Sequence, residues 1–207
     1  MGTWRRDVGA ALLGAASWTA AEYGLHRFLM HEMKGRGLAS REHLKHHADV
    51  TYFSPTSKKL LSAVSTSAVA LPVASAVAGR RWACWYTGGL IAMYGAYEVL
   101  HRRTHTHPPR NAYGVWMRRS HLHHHFGGPM TNHGVTTPVW DRALGTARDP
   151  GVVTVPLRMA PTWLIDDEGQ VRPEHAAHYV VKAGRPRTEA QAQRDHEDAF
   201  ANTAPQA

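Results

Sequence analysis

Residues 60–100 read LLSAVSTSAVALPVASAVAGRRWACWYTGGLIAMYGAYEVL. Residues 60–79 carry no charge, Arg80 and Arg81 follow, and in residues 82–100 Glu98 is the one charge. Each stretch is long enough to cross a hydrocarbon core of about 30 Å as a helix. The spacer is too short for anything but a tight turn, so the run predicts a membrane hairpin. Trp82, Trp85 and Tyr86 suit an interfacial belt beside that turn. Residues 8–25 form a weaker stretch, rich in Ala and Gly and holding Glu22. It reads as a third span, with a signal peptide after Arg5 and Arg6 as the alternative.

The hairpin sets the topology. Residues 31–59 and 101–207 must share one side of the membrane. Counted from Arg27 to Lys59 and from Arg102 onward, that side carries 20 Lys and Arg residues, against Arg5, Arg6, Arg80 and Arg81 on the other. The positive-inside rule makes the rich side cytoplasmic. The basic balance, 24 Lys+Arg to 16 Asp+Glu with a pI of about 10.0, is thereby explained with no nucleic-acid partner. A mean hydropathy of −0.40 limits the spans to a few beside a large polar remainder. With Cys84 as the sole cysteine, a disulfide framework is excluded.

Histidine is the outstanding residue. Three windows, residues 26–47, 101–107 and 121–125, cover a sixth of the chain and hold 12 of its 16 histidines. On an α-helix, residues i, i+3 and i+4 share a face. His43, His46 and His47 have that spacing, as do His121, His124 and His125, while His101 and His105 are an i, i+4 pair. His26 and His31 are five apart, about 140° round an α-helix, so they could serve two ions or straddle one. Ten imidazoles are too many for one ion and divide naturally between two; imidazole suits iron, zinc, copper and nickel. His107 precedes the helix-stopping Pro108 and Pro109. His133, His175, His178 and His196 read as structural or surface residues. A carboxylate di-iron site would need two Glu-x-x-His pairs, and the chain has one, Glu98 with His101. Glu22, Glu32, Glu42 and Glu98 read as groups that orient imidazoles, or as helix-surface charges; His123 and Asn132 join Glu98 as candidates to support the ligands.

In order, His26-Arg-Phe-Leu-Met-His31, His43-Leu-Lys-His46-His47, His101-Arg-Arg-Thr-His105 and His121-Leu-His-His124-His125 resemble the histidine boxes of the fatty acid hydroxylase / sterol desaturase superfamily. The segment from Asn132 to Thr146 resembles the stretch after the last box in that superfamily, and the likeness covers about residues 20–147. The first half is also similar to bacterial carotenoid hydroxylases of that superfamily. The resemblance implies two non-haem irons, replaceable by zinc in a purified protein, together with O2 and hydroxylation or desaturation of a lipid C–H bond. It implies His26, His31, His43, His46, His47, His101, His105, His121, His124 and His125 as ligands. One ion would take His31, His43, His46, His121 and His124; the other His26, His47, His101, His105 and His125. Electrons are expected from a separate ferredoxin or cytochrome b5 type protein.

The expectation is therefore an all-α integral membrane protein with about three transmembrane helices, a cytoplasmic histidine-rich cap and a small polar C-terminal appendage. Residues 1–148 form the oxygenase domain, residues 149–183 the appendage and residues 184–207 a disordered tail. Its substrate is a membrane lipid, fatty-acyl first, with a carotenoid or sterol as the alternative. A non-catalytic membrane metal-binding or transport protein is the competing class, disfavoured because the ligands sit at span ends rather than along a path through the bilayer.

Overall fold

The computed structural model describes residues 2–183; the expected tail from residue 184 lies outside the described residues. The chain is mostly helical. It runs α1 (Thr3–Gly24), a π-helix (Leu25–Glu32), α2 (Leu38–Ala48), α3 (Thr56–Ala78), α4 (Arg80–Thr106), α5 (Ala112–Phe126) and α6 (Val139–Ala143), then strands β1 (Val153–Pro156) and β2 (Tyr179–Lys182). These elements divide into two compact units, Met1–Glu22 with Ser54–Leu100, and Tyr23–Phe53 with His101 onward.

In the first unit, α3 and α4 meet at Gly79, whose φ of 84° is the left-handed backbone that glycine adopts without a Cβ clash. The turn is tighter than expected, since α4 already begins at Arg80. The two helices are antiparallel. Near the start of α3, Lys59 Nζ meets Glu98 Oε2 at 2.5 Å, and its carbonyl accepts the Tyr94 hydroxyl at 3.3 Å. Helix α1 runs parallel to α4: Arg81 donates to Asp7 at 2.7 Å, and Trp18 packs on Tyr94 and Tyr97 at 4.8 and 5.7 Å. Between these contacts the backbones come close. A Cβ on Gly14 would strike the Tyr86 carbonyl, and one on Gly89 the Ala11 carbonyl. Small residues that let helices touch are the usual packing device where lipid removes the hydrophobic drive.

Leu60, Leu61, Val64, Val69, Val73 and Val77 leave α3 with an exposed apolar surface. Among the described helices, α3 alone is long and apolar enough to cross a membrane. Helices α1 and α4 have the length, 22 and 27 residues, but their glycines, arginines and tyrosines dilute the apolar content.

The second unit is not wholly helical. Strands β1 and β2 pair in parallel, Val153 with Tyr179 through Pro156 with Lys182. A segment polar in sequence thus hides an apolar core: Val153, Val155, Trp163, Leu164 and Tyr179 close on Leu122 of α5. Burying large apolar side chains is worth roughly 1.5–3 kcal/mol each, so the segment fixes the helix that carries His121, His124 and His125. Helix α5 starts at Asn111, whose side chain accepts the Gly114 N–H at 2.8 Å as an N-cap. Arg118 locks it to the end of α4. Its buried guanidinium donates to the carbonyls of His107, Arg103 and Gly114 at 2.8, 3.0 and 3.0 Å. A cation suits the carbonyl end of a helix. Ser40 does the same for α2 and the π-helix, accepting from Gly35 N and donating to Met30 O, both at 2.8 Å.

Gly88 and Gly89 separate close packing from helix propensity. A Cβ on Gly88 meets nothing within 4 Å, whereas one on Gly89 meets α1. We expect Gly89→Ala to cost about 1–3 kcal/mol through overpacking, lowering the unfolding midpoint in detergent. Gly88→Ala should be neutral or mildly stabilising. Equal effects of the two would contradict the close approach of α1 and α4.

Candidate metal centre

All ten candidate ligand histidines come together in the second unit, as two groups of five. The first is His26, His31, His43, His47 and His124; the second is His46, His101, His105, His121 and His125. Within each group the ligand atoms lie within 4.8 Å of one another. As whole residues His47 and His125 are half-buried, and the other eight are buried.

Helix geometry explains the grouping. The i→i+5 turn of a π-helix is wider than an α-turn, so His26 and His31, five apart, face the same way. α-Helical phasing could not reveal this. On α2, α4 and α5 each group takes an i, i+4 pair: His43 with His47, His101 with His105, and His121 with His125. Such pairs lie about 40° apart, against about 60° for i, i+3. The division implied by the resemblance gave one ion the i, i+3 pairs His43 with His46 and His121 with His124, and the structure divides them otherwise: His26 and His47 group with His31, His43 and His124, while His46 and His121 group with His101, His105 and His125. Two features of it hold: His101 and His105 share a group, and the adjacent residues His46 and His47 part company, as do His124 and His125. The rings of His47 and His125 stack at 4.1 Å across the seam between the groups.

The nitrogen positions fit metal ions. In the first group, Nε2 atoms follow one another from His26 to His43 at 3.0 Å, to His31 at 2.9 Å and to His124 at 3.0 Å. In the second, His46, His105, His121 and His125 follow at 3.1, 2.9 and 3.1 Å. Two imidazole nitrogens about 2.1 Å from one ion, meeting it at a right angle, lie about 3.0 Å apart. The tautomers agree with this. His26 Nδ1 faces the His133 carbonyl at 2.5 Å, His124 Nδ1 the Thr131 carbonyl at 2.7 Å and His46 Nδ1 the Tyr52 carbonyl at 2.8 Å. A carbonyl can only accept, so each Nδ1 carries the proton and each Nε2 of a neutral ring presents a lone pair. His47 Nε2 is buried without a hydrogen-bond partner. Inward lone pairs at van der Waals approach call for a cation.

The protonation states point the same way. Burial, and then repulsion from neighbouring imidazoles, holds His26, His43, His47, His105, His121, His124 and His125 well below the ordinary histidine range. For His31, desolvation lowers the pKa to about 4. Neutral imidazole is the ligating form.

The supporting residues are distributed differently from the expectation. Glu98 pairs with Lys59 in the first unit. His123 lies half-buried on the far side of its helix turn, its ring against Gly127 and Gly128. Asn132 clips the backbone of Arg148, accepting from its N–H at 2.8 Å and donating to its carbonyl at 3.0 Å. Glu32 pairs with Arg27 at 3.1 Å. Glu42 accepts the Tyr52 hydroxyl at 2.6 Å, steadying the residue whose carbonyl orients His46. His133 is the histidine that sequence reasoning missed. It is fully buried, and its ring lies 5.4 Å from those of His26 and His124. A lone histidine outside the phased windows gives no signal, and the carbonyls that orient ligands belong to the backbone, where sequence is silent.

Residues 11–146, about two thirds of the chain, match the family model described as fatty acid hydroxylase. A dihydroceramide fatty acyl 2-hydroxylase of Arabidopsis thaliana is 29% identical over 156 residues, covering 67% of this chain and 60% of that protein. A fatty acid 2-hydroxylase of Rattus norvegicus is 30% identical over 146 residues, with 65% and 38% covered. The structure of full-length scs7p, in which only the hydroxylase domain is visible, superposes with a TM-score of 0.56 at 26% identity, covering 72% of this chain and 59% of that one. The chain thus spans less than two thirds of the length of these relatives.

Acid should unfold the metal-free protein. The buried histidines bind fewer protons folded than unfolded, so stability rises with pH between the two pKa values and is lost as pH falls below the ordinary value of 6.5. We expect the melting midpoint of the metal-free protein to fall between pH 7 and pH 5. A midpoint that is constant or rises over that window would contradict burial of neutral imidazoles.

Proposed function

The chain belongs to the fatty acid hydroxylase family, and from that premise we propose that it is an integral membrane, iron-dependent oxidoreductase that hydroxylates a fatty-acyl lipid with O2. The observation that carries the proposal is the pair of adjacent five-imidazole groups. In this reading His26, His31, His43, His47 and His124 hold one iron, and His46, His101, His105, His121 and His125 the other. Two irons, supplied with O2 and electrons, provide the oxidising power that an unactivated C–H bond requires.

The residues around the groups bind, orient and exclude. The carbonyls of Tyr52, Thr131 and His133 fix three rings with Nε2 inward. Arg118 and the core on Leu122 hold α4 and α5 in register, so His101 and His105 meet His121 and His125. Burial keeps water from eight of the ten rings and disfavours the charged imidazole. Each group would offer five nitrogen donors to its ion.

Names of the relatives, fatty acid and fatty-acyl 2-hydroxylases, favour hydroxylation over desaturation and an acyl lipid over a carotenoid or sterol. Compact clusters also favour an enzyme over a transporter, whose ligands would line a path across the bilayer. In this account α1 and α4 span beside α3, residues 1–148 carry the activity, and residues 149–183 brace α5. The histidines face the cytoplasm, on the side rich in Lys and Arg. There a ferredoxin or cytochrome b5 type protein delivers electrons.

Mass spectrometry of acyl chains released from cells tests the proposal. Cells expressing the protein should gain 2-hydroxy fatty acids, and cells expressing His105→Ala at the same level should not. Unchanged acyl chains in the presence of iron, oxygen and a reductase system would overturn the reading, as would equal hydroxylation by the variant.

A further inference from the structure

The first histidine group rests on a loop, and the loop rests on one carboxylate. Asp141 lies on α6 and is almost fully buried. Its Oδ1 accepts the His133 N–H at 2.8 Å and the Thr146 hydroxyl at 2.7 Å, while its Oδ2 accepts the Gly134 N–H at 2.7 Å. The Asp141 carbonyl takes the N–H groups of Thr146 and Ala147 at 2.8 and 3.0 Å. The loop has no slack here, since a Cβ on Gly134 would run into the Thr137 carbonyl and lie 3.0 Å from Asp141 Oδ2.

Two ligands depend on that loop. The His133 carbonyl orients His26, on the π-helix, and the Thr131 carbonyl orients His124, on α5. Both belong to the first group. A second strut reaches the π-helix through Tyr23, at the end of α1. Thr146 Oγ1 gives its proton to Asp141, so at 3.2 Å the Tyr23 hydroxyl donates to Thr146. Tyr23 in turn accepts from Arg27 at 2.9 Å, and these two residues flank His26 in sequence. The second group is served from elsewhere: its carbonyl contact runs from His46 to Tyr52, on the loop after α2.

We propose that Asp141 is a positioning residue for the first metal ion alone, acting through the His133 peptide and Thr146 to aim His26 and His124. The inference rests on the two-ion reading of the histidine groups. Buried partners that hold metal ligands in place are worth about 10–100-fold in metal affinity. Asp141 acts one bond further out, which puts its effect at the low end of that range. Selectivity distinguishes it from a general structural role, because loosening the whole unit would weaken both ions alike.

The test uses full-length protein and Co(II) as the probe, followed by its visible absorption. His101→Ala with His105→Ala disables the second group and leaves the first to bind. His43→Ala with His47→Ala does the reverse. Adding Asp141→Asn, which keeps the shape and removes the charge, should weaken Co(II) binding about tenfold in the first background and leave the second unchanged. Thr146→Val, which cuts only the hydroxyl link, should act in the same direction and less strongly. It carries the test if circular dichroism shows that Asp141→Asn does not fold. Equal weakening in both backgrounds, or none in the first, would overturn the role of Asp141. Parent backgrounds that each fold but bind no Co(II) would overturn the two-ion reading, and the inference with it.

Discussion

Ten imidazoles gathered into two groups impose the constraint on which the second unit depends. Eight of their Nε2 atoms approach one another at 2.9–3.1 Å. At His26, His46 and His124, where Nδ1 is engaged by a carbonyl, Nε2 presents a lone pair inward and has no proton of its own to share. Such an arrangement is costly alone and favourable around cations, so ligand binding and folding are linked. The metal-free fold has to be held open for its ions by everything around it.

That holding is divided among devices of different chemistry. Ser40 pins α2 to the π-helix, and Arg118 closes the carbonyl end of α4 onto α5. The parallel strand pair and Trp163 bury Leu122, one residue from His121. Asp141 and Asn132 fix the loop between α5 and α6. Each of the four helical elements carrying ligands, the π-helix, α2, α4 and α5, thus has at least one anchor independent of metal. In the first unit the packing chemistry changes: Gly14 and Gly89 permit backbone contact, and α3 leaves its valines and leucines outward.

Much of this was legible in the residues. The apolar run from residue 60 to residue 100 encodes the α3–α4 hairpin, and histidine phasing picks out eight of the ten residues that converge. Three things were not legible, each for a physical reason. The π-helix at Leu25–Glu32 has no sequence signature, so α-helical phasing left His26 and His31 unresolved. The division of ligands depends on which i, i+4 face meets which neighbour, a tertiary property. The segment after residue 150 looked polar because its few apolar residues are spread among turns; Trp163 and Tyr179 are sixteen positions apart yet share one core.

The central claim is that two ions are each held by histidine nitrogen alone. X-ray absorption at the metal edge of the loaded, full-length protein tests it most directly. The account predicts a first shell of about five nitrogens near 2.1 Å, with the outer-shell scattering of imidazole rings, on a protein that holds two ions per chain. A shell dominated by carboxylate oxygen or by sulfur, or a single ion per chain at saturation, would contradict it.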